Sequence, residues 1–192
     1  MNIEKQTSEE ATEFVAKRDR DAWAVIRGYV YQVDLTITRW LELQSGQVLE
    51  LERGEDIDLI SQFVAAAPEK RTRLLEQVKH RSTPLSLRTS AAISTLACAV
   101  EHRNANPDLN LEFRYSTNAT ITAERVSLTK PIAPALTMLE EIRQGHLTAI
   151  IQTEYLSNIL AILNTAECPD SLNSRTWEQF HNFVTKSTSE EF

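Results

Sequence analysis

Cysteine is scarce: Cys98 and Cys168 are the two in 192 residues. They lie far apart, and neither has the short-range Cys or His partners that a zinc site needs. Both read as ordinary reduced thiols, packed or exposed according to the habits of free cysteine. No apolar run approaches the roughly 20 residues of a bilayer span, and the opening MNIEKQTSEE is polar and acidic. A cytoplasmic protein with no membrane partner is therefore expected. Positive charge is also in deficit, with 20 Lys and Arg against 27 Asp and Glu and a net charge of −7. Taken alone, that balance argues against a nucleic-acid binder, because such proteins present basic surface to phosphates. Internal repeats and low-complexity tracts are lacking as well.

What remains is the composition of a folded protein, 42% hydrophobic and 24% charged, at a length that suits one ordinary domain with its own core. The charge is unevenly placed. Glu50, Glu52, Glu55, Asp56 and Asp58 crowd around Arg53, whereas Arg71, Arg73, Lys79, Arg81 and Arg88 surround Glu76. An acidic knot beside a basic strip suits a metal-dependent enzyme acting on polyanions, and two solvated strand ends would look the same.

Thr7-Ser8-Glu9-Glu10 reads as a capping box opening a short charged helix, so residues 1–20 are expected to be a helical lead-in. From Asp21 to Gln44, Trp23, Ile26, Val30, Val33, Ile37, Trp40 and Leu41 recur at intervals of three and four, marking one face of a long amphipathic helix. Gly28 interrupts it at a cost of about 1 kcal/mol relative to Ala. Ser45-Gly46 stops the helix. QVLELER then alternates as a half-buried strand, and Arg53-Gly54-Glu55 turns into a second strand, DIDLISQFVAA, in which Ile57, Leu59 and Phe63 point away from the aspartates. Pro68-Glu69-Lys70 is a loop, and RLLEQVKH is a third strand buried on both sides. Beyond Thr83-Pro84, Ala91, Ile93, Leu96, Ala97 and Val100 mark a buried helix, and LNLEFRYST a fourth strand. Helices follow over about 133–144, 147–166 and 174–185. The order points to an α/β layer with a helical C-terminal part.

Strand residues two apart share a face. Asp56 with Asp58, and Gln77 with Lys79, therefore project as pairs. If the two runs lie side by side, carboxylates, a carboxamide oxygen and an ammonium converge, a set suited to a hard cation beside a phosphodiester.

In this order of elements, G-E-D-I-D-L-I and E-Q-V-K resemble the restriction-endonuclease-like core of the PD-(D/E)xK nucleases. The flanking G-Y-V-Y-Q (Gly28 to Gln32), L-E-R-G-E-D-I-D, Q-V-K-H-R and F-R-Y-S-T-N (Phe113 to Asn118) are similar to the double-stranded-DNA endonuclease domain of CD-NTase-associated antiphage effectors. Related domains are fused to the sensor ATPases of the STAND class. The likeness covers residues 20–120 closely and the remainder by general character.

The resemblance implies a mixed central sheet flanked by helices, with a nuclease core over 21–130 and a helical extension of the same domain over 131–192, followed by further domains. It also implies Mg2+, or Mn2+, held by Asp58 as principal ligand, with Gln77 and Asp56. Asp58, Gln77 and Lys79 would be catalytic, with Gln77 replacing the usual Glu and Lys79 orienting the attacking water. Gln32 would be an accessory residue over the site. His80, on the opposite strand face from Lys79, would be structural or touch DNA backbone, and Thr117 and Asn118 would form a turn. Implied partners are double-stranded DNA and further copies of the chain, assembled through the sensor and ATPase domains of a longer protein. A catalytically weak nuclease-like module that binds DNA or mediates assembly is the alternative. A protein-interaction domain whose acidic turn meets a basic partner is a third reading.

Overall fold

The computed structural model describes residues 22–61, 72–124 and 133–189. The expected lead-in helix, Phe63 and the 68–70 loop lie outside them.

The described residues form an α/β fold with a four-stranded mixed sheet and five helices. α1 (Ala22–Leu41) leads to β1 (Gln47–Leu51), β2 (Ile57–Ser61) and β3 (Thr72–Lys79), then α2 (Ser90–Ala105) and β4 (Asn110–Thr117). α3 (Ala135–Gln144), α4 (Ala149–Asn164) and α5 (Ser174–Ser189) follow. Spatial strand order equals chain order: β1 and β2 are antiparallel, β2 and β3 antiparallel, β3 and β4 parallel. The parallel pair is joined through α2, because a parallel connection needs a crossover while antiparallel neighbours need only a turn.

β3 is central, and its two faces serve different helices. Leu74, Leu75, Glu76 and Val78 are all buried, so consecutive residues are covered on both sides. Glu76 faces α1, where Arg39 grips it with Nε at 2.8 Å and a terminal nitrogen at 2.9 Å. Arg73, Leu75, Gln77 and Lys79 alternate to the other side, where α2 lies.

α2 starts where Thr89 accepts a hydrogen bond from Ala92 N, an N-cap that satisfies one of the otherwise orphaned donors. The principal core joins α2 to the last three helices. Ile93 and Ala97 pack with Met138, Ile159, Leu163, Phe180 and Val184, each large side chain stabilising by about 1.5–3 kcal/mol on burial. Glu124 ties this layer to the sheet connection, accepting from Leu87 N at 2.9 Å and Ala135 N at 3.0 Å. α1 stands apart from that core. None of its residues is buried, and Tyr31, Leu35 and Arg39 are among the partly covered ones.

Candidate functional site

Register decides which acidic residue meets Gln77. Ile57 pairs with Glu76 and Asp58 with Leu75. One step before Ile57, Asp56 stands opposite Gln77. Its Oδ2 accepts from Gln77 Nε2 at 2.7 Å and from the Val78 backbone N at 2.7 Å. Lys79, two residues along on the same face, brings its Nζ to 3.9 Å from that oxygen and remains half exposed. The structure thus brings together Asp56, Gln77 and Lys79.

Asp58 is placed elsewhere. It shares a face with Asp56, as the alternation requires, but it is fully buried one step deeper. Its carboxylate accepts from Gly54 N at 2.8 Å and Glu55 N at 3.1 Å, and it is paired with the Arg73 guanidinium. Arg73 also reaches Glu50 at 3.2 Å. The expected order of the two aspartates is therefore reversed in geometry. Asp58 is the strut of the β1–β2 turn, its charge balanced by Arg73, and Asp56 is the carboxylate that turn delivers to Gln77. Gly54 sits close to this strut: a Cβ there would lie 2.8 Å from Leu75 Cδ2 and 3.2 Å from Asp58 Oδ2, so a larger residue would have to displace one of these side chains.

Gln32 is not joined to this group. It lies on α1, which packs on the Glu76 face of β3, and its carbonyl accepts from the Thr36 hydroxyl at 2.8 Å. His80 contacts the Tyr31 ring edge-on at 5.8 Å, on the α1 side and away from Lys79. Asn118 brackets the Arg81 backbone, accepting from its N at 2.7 Å and donating to its O at 2.9 Å, which ties the chain after β3 to the end of β4.

Two further residues join the group without having been singled out as candidates in the sequence. Glu55 precedes Asp56, and its Oε1 lies 3.4 Å from His102 Nε2 on the last turn of α2. The His102 ring stacks on Phe113 of β4 at 6.5 Å between centroids. Burial, aided by the neighbouring Asp56 charge, pushes the Glu55 carboxyl up, with His102 and Lys79 pulling the other way. Cys98, also on α2, has its thiol raised by burial and then by Glu55 and Glu101. Glu55 was legible as part of the acidic knot. Its partner His102 lies 47 positions downstream and carries no local signal.

The oxygen donors available are the Asp56 and Glu55 carboxylates and the Gln77 carboxamide. The Gln77 amide now donates to Asp56, and turning it over would present its oxygen beside the carboxylate. Among the described residues no three His, Cys, Asp or Glu side chains gather into a metal-binding group. Oxygen donors of this kind suit a hard cation that keeps several waters and takes further ligands from a substrate, and a dedicated all-protein cage would need more of them. No protein-family model matches the chain, and neither a curated protein nor a solved structure is significantly similar to it.

Proposed function

We propose that this chain is a metal-dependent endonuclease domain that hydrolyses phosphodiester bonds in double-stranded DNA. The observation that carries the reading is the meeting of Asp56, Gln77 and Lys79 across two adjacent strands. The element order from α1 to β4 is the order that the nuclease resemblance implies. DNA as substrate, and a role as an effector of antiphage defence in a larger oligomeric protein, rest on that resemblance.

Bound Mg2+ or Mn2+ would supply charge relief at the phosphate and a more acidic water. The chain's own residues do the rest. Asp56, fixed by the Val78 amide, holds its carboxylate at the strand end, and Gln77 adds a neutral oxygen beside it. Glu55 adds a second carboxylate from the same turn. Lys79 extends from the central strand toward solvent, where its ammonium would be available to a substrate phosphate oxygen or the attacking water. Asp58 acts through the turn and touches no reacting atom.

The neutral Gln77 favours a second reading, a nuclease-like module that binds DNA or mediates assembly without cutting. Plasmid DNA incubated with the oligomerised full-length protein and Mg2+ separates the two. Nicking that disappears in Asp56→Asn and falls steeply in Lys79→Ala, with folding retained, supports the enzyme. Retention of DNA without nicking supports the module, and equal cutting by both variants removes this site from consideration.

A further inference from the structure

α1 turns its more apolar side away from the sheet and helices of the described residues. Tyr31, Leu35 and Arg39, among its partly covered residues, lie toward the sheet, while Trp23, Ile26, Val30, Val33, Ile37 and Trp40 are all exposed, the two tryptophans by 68% and 64%. Scattered exposed apolar residues need no explanation, but a contiguous stripe of this kind marks an interaction surface.

The spacing of the stripe is three, four, three, four, three, the a/d seam of a coiled coil over about 30 Å of helix. Its order is the same from either end: Trp, Ile, Val, Val, Ile, Trp. Two antiparallel copies related by a two-fold axis midway between Val30 and Val33 would set like against like. Trp23 meets Trp40 of the second copy, Ile26 meets Ile37, and Val30 meets Val33. A two-fold contact needs this self-complementarity, since each residue of the patch must be the partner of another in the same patch.

Charge selects the same arrangement. Arg27 and Asp34 occupy equivalent flanking positions one heptad apart, and both are exposed. The antiparallel axis brings Arg27 of each copy beside Asp34 of the other, giving two cross-pairs. A parallel pair would instead set Arg27 near Ala22 and Asp34 near Tyr29, with no opposite charge to meet. The area is also adequate. Aromatic side chains bury about 150–250 Å² each when fully covered, so the two exposed tryptophans contribute on the order of 300 Å² per copy. Four aliphatic residues, Tyr29 and Leu41 extend this toward the roughly 800 Å² per partner of a stable interface.

We infer that α1 is the surface through which two copies of this chain pair, antiparallel and about a two-fold axis at its midpoint. The Arg39–Glu76 grip lies on the opposite side of the helix, so pairing leaves α1 seated on its sheet and sets the two protein bodies on opposite sides of the helix pair.

The test is the oligomeric state of the full chain by analytical ultracentrifugation across a concentration series. A reversible dimer is expected. Ile37→Asp, at a position already exposed, should raise the dimer Kd by about 100-fold or more with the circular-dichroism spectrum unchanged. Arg27→Asp should weaken the dimer, and the double variant Arg27→Asp/Asp34→Arg should restore it. Mixing chains that carry Ile26→Cys with chains that carry Ile37→Cys should yield a disulfide between those two positions, mapped by mass spectrometry. Three results overturn the inference: a monomer at every concentration, a dimer indifferent to Ile37→Asp, or a disulfide joining position 26 to position 26. A monomer whose stripe instead binds anionic lipid vesicles, or is shielded by the chain's own remaining residues, overturns it equally.

Discussion

Asp56 and Gln77 face each other one residue beyond the last paired position of β2, with the Asp56 carboxylate oxygen shared between the Gln77 carboxamide and the Val78 backbone amide. That shared oxygen is fixed by main chain on one side and by a neutral side chain on the other. The consequences divide between chemistry and stability, and single substitutions separate them.

Asp56→Asn keeps the side-chain volume at a partly exposed position and should leave thermal stability nearly unchanged while abolishing metal-dependent nicking. Lys79→Ala should lower the cutting rate by about 10²–10³, the usual cost of removing one group aimed at transition-state charge. Asp58→Ala should behave differently. It strips a buried carboxylate from Arg73, Gly54 N and Glu55 N, at a cost of about 3 kcal/mol or more. Chemical denaturation run beside the nicking assay checks the division. A stable Asp58→Ala protein would show that Asp58 is no strut.

Cation binding should be visible without turnover. Adding Mn2+ or Mg2+ to about 100 times its Kd stabilises the folded state by about 2.7 kcal/mol if one site binds the native form alone. A thermal-shift titration should show this for the natural sequence and lose it in Asp56→Asn. An unchanged melting temperature in saturating Mn2+ counts against the donor set described above.

Glu76 should make the protein acid-sensitive. Burial works against its ionisation, but hydrogen bonds from Arg39 and Ser116 and the charge of Arg39 and Arg114 hold its carboxyl below the ordinary range. A lowered folded pKa contributes stability that is complete above the unfolded value, about 4.3, and is lost as pH falls through the folded one. Glu76→Ala should cost about 3–5 kcal/mol at neutral pH by orphaning Arg39. It should also flatten the acid limb of a stability–pH curve measured in urea, and a limb of unchanged steepness assigns the acid sensitivity elsewhere.

Glu55 has the opposite sign. Its raised folded pKa means that ionisation is disfavoured in the fold, so its contribution is absent at low pH and becomes destabilising as pH rises from the unfolded pKa past the folded one. Glu55→Gln should therefore raise the melting temperature at neutral pH and leave it unchanged well below pH 4. Equal shifts at both pH values would point to packing instead of charge.

The order of helices and strands was legible because each element carries its own period. Alternation marks β1, the three-and-four spacing marks α1, and the small apolar residues of α2 mark a helix buried between layers. The choice between Asp56 and Asp58 was not legible. Both lie on one face, and their difference is one register step against β3, a property of the pair of strands and of neither sequence alone. Periodicity likewise marked the apolar side of α1 without saying what faces it. The helix is fastened to the sheet through Arg39 and Glu76, two charged residues 37 positions apart. His102 entered the site by the same long-range route, through packing of α2 on the sheet.

Glu76 and Gln77 are consecutive. The first is the anchor by which the sheet grips α1, and the second is the carboxamide beside Asp56 on the other side of the same strand. A single peptide plane thus separates the helix mooring from the candidate chemistry, so any substitution that shifts β3 under α1 also moves the backbone that carries Gln77.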